Sequence, residues 1–288
     1  MNILDKLFHT TVRIECRDAH GKDSTGTGFI FRFCERDKVH VPAVVTSKHV
    51  VRDAVTCVIH MTTANDKDEP ILGEHVMVPM ENFGAFCVKH PDEDIDLAVF
   101  PMTPIAHWME QQGKKPFYAP VSSGLLADAA FMDELSAIEE IVMIGYPNGL
   151  WDSKNNLPIA RRGTTATPPY INFEGRPEFM IDCACFPGSS GSPVFLWNNG
   201  AYTTKKGELK LGTRIKLLGI LWAGPQYTAE GEIVVVPVPS AMQPIVRSRI
   251  PNNLGYCIKA DQLLAFEKHF EQFLPAETAE TQVKKAQA

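Results

Sequence analysis

A chain of 288 residues with 44% hydrophobic and 22% charged side chains has apolar surface enough for a sizeable core. Its net charge of −6, from 28 basic against 34 acidic residues, comes without a dense basic stretch, so nucleic acid is not an expected partner. No apolar run is long enough to span a bilayer and "MNILDKLFHTTVRIEC" has no signal-peptide core; no membrane association is expected, and the expected location is cytoplasmic.

The first hundred residues read as short strands separated by turns. "TTVRIEC" alternates, with Val12, Ile14 and Cys16 on one face. "GTGFIF" follows a turn rich in Gly, Ser and Asp, and "HVPAVVTSKHVV" runs β-branched residues into a polar interruption. "AVTCVIHM", "HVMVPM", "FCVKH" and "DLAVF" continue the pattern, which points to an all-β sandwich or barrel rather than to βαβ units.

A mixed segment follows, with Pro101, Pro104, Pro116 and Pro120, then "LLADAAFMDELSAI", which could form a short helix. Strand signals return in "EEIVMIGYP", "PEFMIDCACF", "SPVFLW", "LLGILWAG" and "EIVVVPV". In "IKADQLLAFEKHFEQFL" the period changes: Leu263, Leu264, Phe266, Phe270, Phe273 and Leu274 recur at helical steps, with Asp261 as N-cap. The polar tail "AETAETQVKKAQA" is expected to fray. The organisation expected is an N-terminal β unit over 1–110, a linker over 111–138, a second β unit over 139–258, a closing helix over 259–275 and a tail over 276–288.

The seven cysteines are odd in number and irregular in spacing, so at least one thiol is free and a complete disulfide framework is excluded. Cys183 and Cys185 could form a metal pair, but two buried thiols are the expected reading, and no metal site or cofactor is assigned.

The stretch "FPGSSGSPVF" sets Ser189, Ser190 and Ser192 around Gly188 and Gly191. Glycine beside a reactive serine permits a tight turn with N–H groups converging on one small space, yet a plain turn between strands gives the same pattern. Ser192 precedes Pro193, which biases it toward extended backbone and away from a turn apex. His49 lies just after a β-branched run, and Asp96 just before an apolar strand; each alone reads as structural. Asp94, two residues from Asp96, faces the same side if the segment is a strand. Taken in order, His, Asp and Ser recur with about fifty and then about ninety residues between them.

These segments resemble the chymotrypsin/trypsin-like serine protease family, and in particular its bacterial-type members without a leader. "GTGFIF", "TSKHVV", "DIDLAVF" and "GSSGSPVF" resemble its strand, histidine, aspartate and nucleophile motifs, and "GYP", "RRGTTA" and "NLGYCIKADQLL" extend the likeness over residues 8 to 265. The resemblance implies two six-stranded antiparallel Greek-key barrels with the site in the cleft between them and a C-terminal α-helix behind. It implies a serine endopeptidase with Ser190 as nucleophile, His49 as general base and Asp96, preferred over Asp94 by the motif, as its orienting acid. The oxyanion donors would be the backbone N–H groups of Gly188 and Ser190. The substrate pocket would be walled by Ala184, Trp222, Ala223 and Gly224; with no acid at the position of Ala184, an uncharged side chain is expected there. The partner expected is a protein or peptide substrate. Val50 stands where secreted members carry cysteine, and the N-terminus does not resemble a zymogen cleavage site. Control is therefore expected from a partner protein, or from an oxyanion loop that orders on substrate. A catalytically silent interaction module and an esterase using the same triad are the alternatives.

Overall fold

The computed structural model describes residues 1–36, 39–232 and 245–274. After a short helix α1 (Ile3–Phe8) the first unit is built from β1 (Thr11–Asp18), β2 (Asp23–Arg36), β3 (Val39–Thr46), β4 (Ala54–Ala64), β5 (Pro70–Glu81), β6 (Val88–Lys89) and β7 (Ala98–Pro101). They form an antiparallel sheet in the order β5-β4-β1-β2-β3-β7-β6, and an eighth strand, β8 (Pro116–Phe117), joins β4. The second unit is a closed six-stranded barrel. Its strands are β9 (Glu140–Gly145), β10 (Ile159–Thr165), β11 (Glu178–Asp182), β12 (Pro193–Asn198), β13 (Arg214–Ala223) and β14 (Leu254–Lys259). They close in the order β10-β11-β14-β13-β12-β9. The fold is thus all-β with two β units, the second closed on six strands and the first carrying eight.

Strand periodicity explains how the units meet. On β2, Phe29, Phe31 and Phe33 point one way and Ile30 the other. The three phenylalanines enter a core shared with Ile144, Phe195, Leu217 and Ile258 of the barrel, while Ile30 joins the first unit's own core with Val12, Ile14, Val44 and Ile59. All three phenylalanines are fully buried, and burial of each stabilises by about 2 kcal/mol. The mixed segment crosses this seam: Val121 bridges to Phe31 and Leu126 to Leu217. It carries two helices, α2 (Thr103–Gln111) and α3 (Ala129–Asp133), of which only the second falls in the stretch read as helical. The Asp128 carboxylate caps α3 by accepting from Phe131 N–H.

The closing segment departs from the expected single helix. Ala260–Phe266 winds as a 3-10 helix and only Glu267–Glu271, α4, is α-helical. The tighter winding moves the apolar face: Leu263, Phe266 and Phe270 are buried, whereas Leu264 and Phe273 are exposed. Lys259, not Asp261, occupies the N-cap, and Asp261 Oδ1 accepts instead from the neighbouring Gln262 amide. The segment packs on the far end of β2. Phe270 stacks on Phe33 at 4.7 Å, and Cys34 N–H donates to Glu267 Oε2 at 2.7 Å. The strand read over 232–238 lies beyond Glu232 outside the described residues, as does the tail from 275.

Candidate active site

A cleft of about 560 Å³ opens between the two units. His49, Arg52, Glu93, Asp94 and Asp96 line it from the first unit; Cys185, Phe186, Pro187, Ser190 and the Leu221–Gly224 segment line it from the second.

His49 sits in the turn after β3, and Asp96 in the loop before β7, the strand paired with β3. That pairing brings the two loops side by side. His49 Nδ1 lies 2.5 Å from Asp96 Oδ2, and His49 N–H donates to Asp96 Oδ1 at 3.1 Å. Lys48 N–H donates to the Asp96 carbonyl at 3.2 Å, so three bonds fix the acid against the histidine turn. With Nδ1 engaged, Nε2 is left for the cleft, and among the described residues it has no hydrogen-bond partner. Asp94 also borders the cleft but is exposed, its own N–H turned to the Asp92 carboxylate.

The three serines part company in the loop before β12. Ser189 is fully buried and its hydroxyl accepts from Arg161 Nη1 at 3.0 Å. Ser192 is fully buried, its Oγ packed so tightly on Gly145 that a Cβ at Gly145 would come within 2.0 Å. Ser190 alone borders the cleft, where its Oγ donates to the Trp222 carbonyl at 3.2 Å; no Ser190–His49 hydrogen bond is formed. Two glycines make the loop possible. Gly188 and Gly191 have φ of +85° and +87°, values that L side chains rarely adopt. At Gly191 a Cβ would also stand 1.9 Å from the Thr27 carbonyl. The N–H groups of Gly188 and Ser190 donate to nothing among the described residues.

Thr27 was not singled out in the sequence, although it lies inside "GTGFIF". From β2 it reaches across the seam: its N–H donates to the Ser190 carbonyl at 2.9 Å, and its Oγ1 donates to the Gly188 carbonyl at 2.9 Å. Oγ1 also accepts from Tyr146 N–H at 3.1 Å, and Thr46 Oγ1 donates to the Thr27 carbonyl at 2.8 Å. One residue of the first unit thereby holds both ends of the Gly188–Ser190 segment. A threonine flanked by two glycines in a strand-like run was the available signal.

Of the expected pocket residues, Trp222, Ala223 and Gly224 border the cleft, but Ala184 does not; Cys185 takes its place. Arg161 of β10 donates from Nη1 to the Ala184 carbonyl. Burial lowers the guanidinium's pKa, with the nearby Cys183 and Cys185 thiols acting the other way. Burial likewise pushes the Cys185 thiol up to about 12. Cys183 and Cys185 lie in the apolar core, and all seven cysteines are free. Among the described residues no three His, Cys, Asp or Glu side chains group as metal ligands, and no helix is long and apolar enough to cross a membrane.

Two β units and a cleft faced by a histidine–aspartate pair and a serine loop have the architecture of a peptidase. The chain belongs to the trypsin-like peptidase domain family, which matches residues 26–201. No curated protein matches it. Among solved structures it is similar to an HtrA-type protease, AlgW with tripeptide, at 13% identity and a TM-score of 0.49 over 92% of this chain and 62% of that one. It is similar to tobacco etch virus protease complexed with product at 11% identity and a TM-score of 0.49, covering 94% of this chain and 82% of that one. The active form of a protease from M. tuberculosis aligns at 14% identity and a TM-score of 0.42, covering 96% and 86%. The chain spans less than two thirds of the length of the HtrA-type protease.

Proposed function

We propose that this chain is a serine endopeptidase that hydrolyses peptide bonds through an acyl-enzyme on Ser190. The observation that carries the reading is the His49 Nδ1–Asp96 Oδ2 contact of 2.5 Å in the cleft that Ser190 borders. Asp96 fixes the tautomer with Nε2 as base and stabilises the imidazolium formed when His49 takes the Ser190 proton. Ser190 rests on the Trp222 carbonyl at 3.2 Å; the reaction requires its Oγ to turn to His49, and such contacts commonly tighten only with substrate bound. The free N–H groups of Gly188 and Ser190 are the donors for the oxyanion. His49 then returns its proton to the leaving amine, and water repeats the sequence on the acyl-enzyme.

The pocket reading follows from its lining. Leu221, Trp222, Ala223 and Gly224 with Cys185 present no acid at the wall, which supports an uncharged side chain before the scissile bond. Free thiols at all seven cysteines support a reducing compartment such as the cytoplasm.

A fluorophosphonate probe tests the nucleophile: wild type should label and Ser190→Ala should not. Peptide turnover in that variant should fall by about four to six orders of magnitude. Wild type that resists labelling would point to a silent interaction module, and hydrolysis of simple esters without peptide cleavage to an esterase.

A further inference from the structure

Arg161 is a cation in an unusual place. Its guanidinium lies behind the nucleophile loop, with Nη1 donating both to the Ala184 carbonyl and to Ser189 Oγ. Its Nε and Nη2 are buried without partners, and among the described residues it forms no ion pair. Keeping a guanidinium in such a site is costly, since no carboxylate offsets its desolvation. A neutral side chain of similar length would fill the volume without that cost. What the guanidinium adds is a donor that spans two points of one loop.

Those two points matter because of what lies beside them. Ser189 separates the two free N–H groups, and its own N–H and carbonyl close turns to the Phe186 carbonyl and to Ser192 N–H, both at 3.0 Å. Fixing its side chain fixes the peptide planes on either side. On the opposite side of the loop Thr27 holds Gly188 and Ser190. We propose that Arg161 is a positioning residue: by bridging Ala184 and Ser189 it keeps the Gly188 and Ser190 N–H groups aimed at the oxyanion. This inference rests on Ser190 being the nucleophile.

The test uses full-length Arg161→Met, Arg161→Lys, Arg161→Ala, Ser189→Ala and Ser190→Ala, with Tm, kcat, KM and fluorophosphonate labelling rate for each. Arg161→Met should lose about 10²- to 10³-fold in kcat with KM nearly unchanged, as for loss of an oxyanion donor. Arg161→Lys should recover only part of this, because an ammonium lacks the planar fork. Added guanidinium ion should restore part of the kcat of Arg161→Ala, an effect that mere loss of packing would not give. If the Arg161 variants fail to fold, Ser189→Ala, which removes only the acceptor, should still lower kcat by about tenfold, in line with one lost hydrogen bond of about 1.4 kcal/mol. A folded Arg161→Met with wild-type kcat, a rise in KM alone, or a loss confined to peptides with Asp or Glu before the scissile bond would overturn the inference. If Ser190→Ala labels and cleaves like wild type, the nucleophile assignment falls instead; an inactive Ser190→Ala beside a fully active Arg161→Met sinks the role of Arg161 alone.

Discussion

His49 and Asp96 stand on loops of one β unit and meet through their own side chains, whereas Ser190 stands in a loop of the other unit that is held by its own turns, by its own barrel and from across the seam. The first pair is fixed by β3–β7 pairing, so its geometry follows from one sheet. The second depends on a threonine across the seam, an arginine behind, and two glycines with positive φ. On the proposed function, an acid–base pair can be local, but a nucleophile that must face donors and base together needs the whole molecule to agree. The halves should therefore fail differently.

Breaking the first half should abolish chemistry and leave the fold. Asp96→Asn, which presents a donor to Nδ1 and reverses the tautomer, should lower kcat by about 10⁴-fold with an unchanged unfolding midpoint. Breaking the second half should cost stability as well. Gly191→Ala places a methyl against the Thr27 carbonyl at a φ of +87°, and urea unfolding should show a loss of about 3 kcal/mol along with inactivity. Thr27→Val keeps the shape but strands the buried Gly188 carbonyl and Tyr146 N–H. A loss of about 2 kcal/mol is expected, with kcat falling more than the fraction unfolded explains.

A smaller effect sharpens the contrast by leaving chemistry alone. At the far end of β2, burial raises the Glu35 pKa, but hydrogen bonds from Arg32, Ser122 and Ser123 outweigh it and hold the carboxyl at about 2, against an ordinary 4.5. A folded pKa below the unfolded one stabilises above the unfolded value, and that contribution is lost as pH falls from about 4.5 toward 2. Thermal melts of Glu35→Gln should lack this part of the acid-induced decline while keeping wild-type kcat at neutral pH.

How far the sequence reaches follows the same division. Short alternating runs made the strands readable, whereas His49, Asp96 and Ser190, each structural when read alone, stood out only through their order along the chain and the resemblance of their motifs to the protease family. The seam was not readable. Thr27 and Arg161 sit in strands where alternation allows either face, and only the approach of the second unit gives them partners. Ala184 was placed by counting back from Ser190, a count that shows neither Cys185 bordering the cleft nor the Arg161 bond to the Ala184 carbonyl. The helix α2 was hidden by Pro104, taken as linker chemistry although proline is well tolerated in a first helical turn. The closing segment kept its apolar content but wound more tightly than the period suggested, which moved Leu264 and Phe273 outward.

The clasp of residues 260–271 on Phe33 and Cys34 has a bearing on when the shared core is complete. Those residues leave the ribosome after both β units have been made, yet they cover the shared core beneath the strand that carries Thr27. A chain that ends before Ala260 lacks the Phe266 and Phe270 rings that pack on Phe33. Completion of the seam therefore waits for the last part of the chain to be synthesised.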